Sequence, residues 1–228
     1  MRSPDTTVGI LVEIIAMYSR ELEQKKSSLK LTDLQRETLI GLLLGDAHLE
    51  TQNRGRTYRV KFEYSVSHEE YANHLYEIFR EWIPTPPQRK VDGTHDNVWF
   101  QTVSHPSFRF YAHQFYDGKK KVVPKNIHRL LTPRGISYWY MDDGSIKSRE
   151  SKGVIFNTHC YTRNEIAKLI ATLNRFNLEC GEREQEEGLQ IYISGTSFEI
   201  FRNIVDPYIV PSMRYKIPVD RTTHMPKM

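Results

Sequence analysis

Residues 32–47, TDLQRETLIGLLLGDA, decide the fold because they predict a buried helix that ends on a carboxylate. Thr32 and Gln35 stand at the spacing of a capping box, which satisfies two backbone donors at the start of a helix. The Leu and Ile residues that follow leave no polar stripe, so the helix is expected to pack in the interior. Asp46 comes directly after this apolar run, and an unpaired carboxylate is costly to bury. We therefore expect Asp46 to bind a cation or to reach solvent.

Two glycines, Gly41 and Gly45, interrupt the apolar run of this helix. Residues four apart on a helix share one face, so both glycines lie on the same side. Each glycine costs a helix about 1 kcal/mol relative to alanine, and a gain elsewhere must offset that cost. Their missing side chains predict that another backbone approaches the helix closely on this face.

A second stretch repeats this design. Residues 131–145, LTPRGISYWYMDDGS, open with Thr132 as the helix cap, followed by a proline at the first helical position. The apolar run that follows leads into Asp142 and Asp143, so a second buried helix also ends in acid. Two such helices indicate a duplicated chain. If the two helices pack together, Asp46 and Asp143 meet at the same end of their interface.

The segments after each of these helices follow the same order. Alternating apolar and charged residues predict strands, and apolar residues at helical spacing predict helices. The first half continues with a hairpin at 48–64, a helix at 67–82, a strand pair around 92–93 and a helix from 104. The second half continues with a strand pair at 146–161, a helix at 162–176, a hairpin at 178–193 and a helix after 194. The sequence therefore predicts an α+β fold of two pseudo-symmetric αββαββα units, each with a four-stranded antiparallel sheet.

This repetition divides the chain into four predicted segments. Residues 1–30 form an N-terminal helical extension, residues 31–130 the first subdomain, residues 131–218 the second, and residues 219–228 a C-terminal tail. Apolar residues at helical spacing over residues 5–26 predict the helix of the extension. That helix either packs on the first subdomain or contacts DNA or a partner, and the sequence leaves both alternatives open.

Composition excludes several classes of protein. The chain has 228 residues, of which 39% are hydrophobic and 26% charged, as in a globular protein rather than a disordered one. A net charge of +4 favours polyanionic partners only weakly. No apolar stretch approaches the roughly 18 residues of a membrane span, so no membrane association is expected. Cys160 and Cys180 lack a CxxC spacing, which argues against a disulfide framework and against a zinc site.

Residues 39–47 (LIGLLLGDA) and 136–144 (ISYWYMDDG) resemble the two signature helices of the LAGLIDADG homing endonucleases. Residues 61–64 (KFEY) and 213–218 (MRYKIP) resemble the single-chain branch of that family, which carries both motifs in one chain. The final acid of the signature is kept in both copies, whereas Tyr138 replaces a glycine of the signature. The resemblance implies two LAGLIDADG units whose sheets form a DNA-binding saddle, with less close helix packing around Tyr138.

The paired acids carry the predicted chemistry. Two carboxylates a few ångströms apart either share a proton or bind a cation, and oxygen ligands without His or Cys favour Mg²⁺ over zinc. The resemblance implies that Asp46 and Asp143 are catalytic and bridge the metal, with Asp142 as a neighbour rather than a ligand. It also implies catalytic roles, electrostatic in nature, for Lys121 and Lys216. We expect Mn²⁺ to replace Mg²⁺, and Ca²⁺ to support binding without cleavage.

The strand faces predict a DNA surface. An alternating strand is often only half solvated, but Arg reads guanine and Asn or Gln reads adenine in the major groove. Eight strands would span about 20 base pairs of double-stranded DNA at about 3.4 Å per pair. Two polar residues on inner strands, Glu63 and Asn157, are expected to position water. The residues expected to bind DNA are Gln52, Asn53, Arg54, Arg56, Arg59, Lys61, Lys147 and Arg149.

These observations predict a monomeric, Mg²⁺-dependent and site-specific homing endonuclease that makes a double-strand break in a long DNA target. The resemblance implies an intron-encoded protein that promotes intron mobility. An RNA maturase, or a nucleic-acid-binding protein that does not cleave, is the alternative on the same scaffold. An intracellular location is expected, in a mitochondrion or chloroplast if the intron lies there. Asp5 and Glu13 do not fit a signal or transit peptide, so no import signal is predicted.

Overall fold

The computed structural model describes residues 23–24, 26–93 and 95–219. The chain divides into two compact units, Met1–Leu31 and Thr32–Met228. In the first unit, residues 23–24 and 26–28 are helical. The rest of the predicted helix at 5–26 lies outside the described residues. The same holds for residues 220–228 of the predicted tail. The division of residues 31–218 into two subdomains stays a prediction.

The first half of the second unit contains the predicted order of helices and strands. Its main elements are α1 (Asp33–Leu44), β1 (His48–Glu50), β2 (Arg59–Ser65), α2 (Glu69–Phe79), β3 (Gln88–Asp92), β4 (His95–Gln101) and α3 (Arg109–Phe115). The four strands pair antiparallel in the order β1-β2-β4-β3. A short hairpin, β5 (Tyr116–Asp117) and β6 (Lys120–Lys121), and a one-turn helix, α4 (Ile127–Leu130), complete this half.

The second half repeats the order. Its elements are α5 (Pro133–Asp143), β7 (Gly144–Ile146), β8 (Val154–Phe156), α6 (Arg163–Asn174), β9 (Cys180–Gln185), β10 (Gly188–Ile193) and α7 (Phe198–Val205). Its strands pair antiparallel in the equivalent order, β7-β8-β10-β9. A 3-10 helix over Pro211–Lys216 follows. The predicted α+β fold of two αββαββα units is confirmed. Strand β7 begins at Gly144, earlier than predicted, because α5 passes directly into it.

The first sheet has an apolar and a polar face because its side chains alternate along the strands. In β2, Val60, Phe62 and Tyr64 are buried, whereas the charged residues between them are partly exposed. The Phe62 ring stacks on Phe100 with centroids 4.7 Å apart, and it contacts Phe79 of α2 at 5.4 Å. The apolar face of the first sheet is therefore covered by its own helix, and the charged side chains project from the other face.

The two signature helices, α1 and α5, pack against each other through small residues. A Cβ atom at Gly41 would collide with the backbone carbonyl of Gly135, so no larger side chain fits between the helices there. A Cβ atom at Gly45 would lie 2.5 Å from the side chain of Asp142. The close approach predicted from the two glycines is confirmed. Tyr138 replaces a glycine of the signature, but Gly135 provides the small residue of α5 that faces Gly41.

Both helices begin as predicted. The Gln35 backbone N–H donates to the Thr32 hydroxyl at 3.2 Å, and the Thr32 N–H donates to the Gln35 side chain at 3.1 Å, which completes the capping box. At the start of α5, the Thr132 hydroxyl accepts from the Gly135 N–H at 3.2 Å. The caps fix where both helices start, and hence where their acidic ends lie. No helix among the described residues is long and apolar enough to cross a membrane.

Candidate active site at the ends of the paired helices

The acidic ends of α1 and α5 lie side by side. Asp46 comes two residues after the end of α1, and Asp143 is the last residue of α5. The Asp46 N–H donates to Oδ2 of Asp142 at 3.0 Å, which links the two ends directly. The structure therefore places the acidic ends of both helices together, although the direct contact of Asp46 is with Asp142, and Asp46 acts on Asp143 through its charge.

Two lysines donate hydrogen bonds to backbone carbonyls at the ends of these helices. Lys121 Nζ donates to the carbonyl of Gly45 and, at 3.0 Å, to that of Ala47. Lys216 Nζ donates to the carbonyl of Met141 and, at 3.0 Å, to that of Asp142. An ammonium is favourable at a helix C-terminus because the last carbonyls lack helical partners and carry partial negative charge. The structure thus places both predicted basic residues beside the acids.

Burial and mutual charge perturb the protonation of these four groups. Burial and the charge of Asp46 raise the pKa of Asp143 to about 7, against the opposing effect of Lys121. Burial also raises the pKa of Asp46, with Lys121 and Lys216 opposing it. Burial lowers the pKa of both lysines, and the nearby acids oppose that shift. The two acids therefore resist being ionised together unless a further positive charge joins them.

The donors at this position fit Mg²⁺ in the way proteins commonly hold it. Among the described residues, no group of three or more His, Cys, Asp or Glu side chains forms a complete metal cage. Mg²⁺ keeps several waters and is usually held by one or two carboxylates together with substrate phosphates. Asp46, which is exposed, and Asp143, which is half-buried, supply two hard oxygen donors that solvent can reach, which matches such a site and argues against zinc.

Asp142 is engaged entirely within the protein. Its Oδ1 accepts from the hydroxyl of Tyr71 at 2.9 Å and lies 3.4 Å from the hydroxyl of Tyr64, while Oδ2 accepts from Asp46. The prediction that Asp142 is a neighbour rather than a metal ligand stays a prediction. Sequence reasoning missed both tyrosines. The doubled acid was visible, but residues about 70 positions distant along the chain give no local signal of contact.

His68 is a second residue that sequence reasoning missed. It lies just before α2, and its Nε2 is 3.2 Å from the hydroxyl of Tyr215, the neighbour of Lys216. Burial and the charge of Lys216 lower the pKa of His68, with the charge of Asp46 opposing them. An imidazole therefore lies within electrostatic range of the Asp46 side of the site.

The two residues predicted to position water occupy different places. Asn157 donates to the Asp143 carbonyl through its backbone N–H at 3.0 Å and through Nδ2 at 2.9 Å. Its Oδ1 accepts from Gln190 at 2.7 Å, so the Asn157 side chain supports the backbone of Asp143. Glu63 instead pairs with Lys61 at 2.8 Å and accepts from Asn97 on the neighbouring strand. The water-positioning roles of both residues stay predictions.

The predicted DNA-binding residues of the first half fall into two groups. Four of them lie exposed in the loop between β1 and β2: Gln52, Asn53, Arg54 and Arg56. The Asn53 side chain bonds to Thr57 within this loop, and both loop arginines are exposed. Arg59 and Lys61 lie on β2 and pair with Glu50 and Glu63, both at 2.8 Å. A DNA phosphate would therefore have to compete with a glutamate carboxylate for Arg59 and for Lys61.

The second half offers fewer basic side chains. Lys147 follows β7, and its Nζ lies 4.7 Å from the ring centroid of Tyr192. Arg149 is exposed in the loop between β7 and β8. These positions correspond to the loop between β1 and β2 of the first half, so both loops present basic residues at equivalent places.

Comparisons with known proteins show what this chain is similar to. The model of the LAGLIDADG DNA endonuclease family matches residues 36–201. A probable intron-encoded endonuclease 1 of Wickerhamomyces canadensis is 32% identical over 206 residues, which are 86% of this chain and 88% of that protein. A cytochrome b mRNA maturase bI2 of Debaryomyces hansenii is 30% identical over 79% of this chain and 72% of its own length. The structure of the homing endonuclease I-WcaI bound to its DNA recognition sequence matches with a TM-score of 0.82 and 29% identity, over 87% of this chain and 92% of that one.

Proposed function

This chain belongs to the LAGLIDADG DNA endonuclease family, and we propose that it is a homing endonuclease that makes a double-strand break at a long, specific DNA site. The observation that carries this proposal is that the acidic ends of the two helices adjoin, so that the charge of Asp46 acts on Asp143, with Lys121 and Lys216 bound to the carbonyls of the same helix ends. A pseudo-twofold pair of acids suits a substrate with two strands to cut. The relative solved on DNA supports double-stranded DNA as the partner.

Asp46 and Asp143 would hold the metal. A bound Mg²⁺ would lower the pKa of a water and offset the negative charge that develops on the phosphate. Burial disfavours the charged form of both acids, and the charge of Asp46 adds to this effect on Asp143, so a divalent cation between them would offset that penalty in competition with the proton. Mn²⁺ is proposed to replace Mg²⁺, and Ca²⁺ to allow binding without cleavage because it prefers a larger and looser oxygen shell.

Lys121 and Lys216 would act on the phosphate by charge. Each ammonium has three N–H donors and donates two hydrogen bonds to helix carbonyls, so one donor is left for a phosphate oxygen or a water. Because the carbonyls fix Nζ in place, little reorganisation is needed when charge develops on the phosphate. The two lysines are proposed as catalytic residues on this basis.

The strand faces and basic loops would bind DNA. Charged side chains on the outer face of β2 and in the loops after β1 and β7 supply phosphate contacts for affinity and base contacts for specificity. Two four-stranded sheets would form the saddle on a site of about 20 base pairs, at about 3.4 Å per pair. Since one chain carries both acids, a monomer is sufficient for a double-strand break. We place such a protein inside the cell, in the compartment that holds its intron.

The direct test is a selection of cleaved sites. Purified protein with Mg²⁺ is incubated with a randomised library and, in parallel, with sequences that flank the intron of its own gene in the intron-free allele. The expected result is enrichment of one site of about 20 base pairs, cut on both strands when Mg²⁺ is present and left uncut in Ca²⁺ or without a divalent metal. Binding of a specific site without cleavage, in Mg²⁺ and in Mn²⁺, would contradict the enzymatic proposal.

The relative named as an mRNA maturase supports a second candidate function, assistance in intron splicing. Folding or binding an intron RNA requires a basic surface but not the paired carboxylates. A splicing assay of the intron with wild-type protein and with Asp46→Asn separates the two functions. Splicing that depends on the protein and survives the substitution would support the maturase function, and absence of any effect on splicing would exclude it.

A further inference from the structure

The two signature helices end in different ways. α1 stops at Leu44, and the chain then closes with the Gly45 N–H on the Gly41 carbonyl and the Ala47 N–H on the Leu42 carbonyl. The Asp46 N–H, between these two donors, is satisfied by Oδ2 of Asp142 from the other half, at 3.0 Å. Asp46 therefore lies beyond its own helix, and its backbone is held by a side chain of the opposite helix.

Asp142 is itself held in place by two hydroxyl groups. Tyr71 of α2 donates to Oδ1 at 2.9 Å, and the hydroxyl of Tyr64 on β2 lies 3.4 Å from the same atom. Both rings are buried and contact each other edge to face, with centroids 5.3 Å apart. The Asp46 N–H can only donate, and an ionised carboxyl accepts from it more strongly than the amide oxygen of an asparagine would, while the two tyrosine hydroxyls can either donate or accept.

The first half has no counterpart of this arrangement. Gly45 precedes Asp46 as Asp142 precedes Asp143, so a hydrogen atom stands where the second half has a carboxyl group. The absence of a side chain at Gly45 is also what admits Asp142, since a Cβ there would lie 2.5 Å from Oδ2 of Asp142. Asp143 lies within α5, and Asn157 binds its carbonyl. The Asp142 side chain thus supports the Asp46 backbone, whereas Gly45 has no side chain that could support Asp143 in the same way.

We propose that Asp142 is a positioning residue, which holds the Asp46 backbone through its amide so that the Asp46 carboxylate reaches the metal and the scissile phosphate. This inference rests on the proposed function of the acid pair. Tyr71 and Tyr64 act indirectly, because they hold the Asp142 carboxyl against Gly45. Displacement of a reacting group by about 1 Å costs up to about 100-fold in rate, which sets the size of the effect.

The test replaces Asp142 by residues of graded similarity and measures binding and chemistry separately. Asp142→Asn keeps the size and one acceptor, and Asp142→Gly copies Gly45 of the first half. Single-turnover cleavage at saturating protein should fall by roughly 10-fold for Asn and roughly 100-fold for Gly, while DNA affinity in Ca²⁺ changes less than about threefold. Tyr71→Phe should lower the same rate by a few-fold. Tyr116→Phe, which removes a hydroxyl bonded to the Leu49 backbone at 3.0 Å, is the matched control and should leave it unchanged.

A second experiment measures the contact between Asp142 and the Asp46 amide without relying on DNA cleavage. The ¹⁵N-labelled protein in the absence of metal should show the Asp46 amide shifted and its hydrogen exchange accelerated in Asp142→Asn and Asp142→Gly, with the Ala47 amide little changed. An Asp46 amide that is the same in all variants overturns the inference, as does a cleavage rate of Asp142→Gly equal to that of wild type. Failure of the wild-type protein to cut any DNA overturns the proposed function instead, and the amide measurement still decides whether Asp142 holds Asp46.

Discussion

The end of α1 and the end of α5 carry equivalent acids that are supported by different means. Asp143 is part of its helix, and Asn157 holds its carbonyl from the adjacent strand end. Asp46 lies outside its helix and depends on Asp142 of the other half for its backbone hydrogen bond. The two lysines, by contrast, bind the carbonyls at their helix ends in nearly the same way. A duplicated sequence can therefore preserve charge and position while the supporting contacts diverge.

The largest effect is expected from removing either acid. Asp46→Asn and Asp143→Asn, made singly, keep size and hydrogen bonding but remove the charge that holds the metal, so cleavage should fall by several orders of magnitude. Binding in Ca²⁺ should survive or improve, because repulsion between carboxylate and phosphate is relieved. Gel shifts and strand-resolved cleavage assays measure the two quantities.

Asp33→Asn, at the exposed far end of α1, is the control for the acid pair and should leave both binding and cleavage unchanged. Because both acids are proposed to share the metal, each substitution should impair both strands alike. A variant that cuts one strand at the wild-type rate would show that the two helix ends form independent sites, in contrast to the shared site proposed above.

Replacing either lysine should reduce cleavage by less than replacing either acid. This prediction tests the feature that the two helix ends share, the hydrogen bonds from a lysine to the helix carbonyls. Lys121→Met and Lys216→Met should each reduce single-turnover cleavage by about 100-fold to 1,000-fold, as for loss of one fixed donor to a developing negative charge. Lys168→Met, on the exposed face of α6, is the control. Unequal losses at Lys121 and Lys216 would mean that the two phosphates are held differently, despite the matching carbonyl contacts.

The helix interface that brings the ends together predicts an effect on stability. Gly41→Ala places a methyl group against the Gly135 backbone and should destabilise the fold by about 1 to 3 kcal/mol in chemical denaturation. Gly181→Ala is the matched control, because no atom lies within 4 Å of a Cβ there, and a change within about 0.5 kcal/mol is expected. Equal stability of the two variants would contradict the close packing of α1 on α5.

A further effect on stability depends on pH. The pKa of Asp143 is raised from its ordinary value of 3.8 to about 7, so the folded protein binds this proton more tightly than the unfolded chain. The resulting stabilisation is complete below about pH 4 and is lost as the pH rises through about 7. The melting temperature of the metal-free protein should therefore fall over this range, by about 2 to 4 °C for each kcal/mol lost.

Two additions identify the source of this pH dependence. Asp143→Asn cannot ionise, so its melting temperature should decline less than that of wild type between about pH 5 and pH 8. Mg²⁺ should restore part of the wild-type stability at the upper pH, because it favours the ionised pair. An identical decline in both proteins, measured by differential scanning calorimetry, would show that other groups cause it.

Sequence patterns predicted the elements well because each element carries its own local signal. The capping box at Thr32 and Gln35, the alternation of buried and charged residues in β2, and the glycines of α1 are all confirmed. The pairing of Asp46 with Asp143 followed from two helices of the same design. The contacts of Tyr71 and His68 with the site could not be predicted, since their partners lie 71 and 147 residues away along the chain.

By itself the sequence determined which faces of the helices and strands are apolar, where α1 and α5 begin, and that two apolar helices end in acids. These properties depend on side-chain periodicity and capping within a few residues of one another. Only the tertiary structure decided that Gly135 faces Gly41 and that Asp142 binds the Asp46 backbone. Such contacts depend on the crossing of helices from two halves of the chain, and that geometry is set by packing over the whole interface rather than by any local pattern.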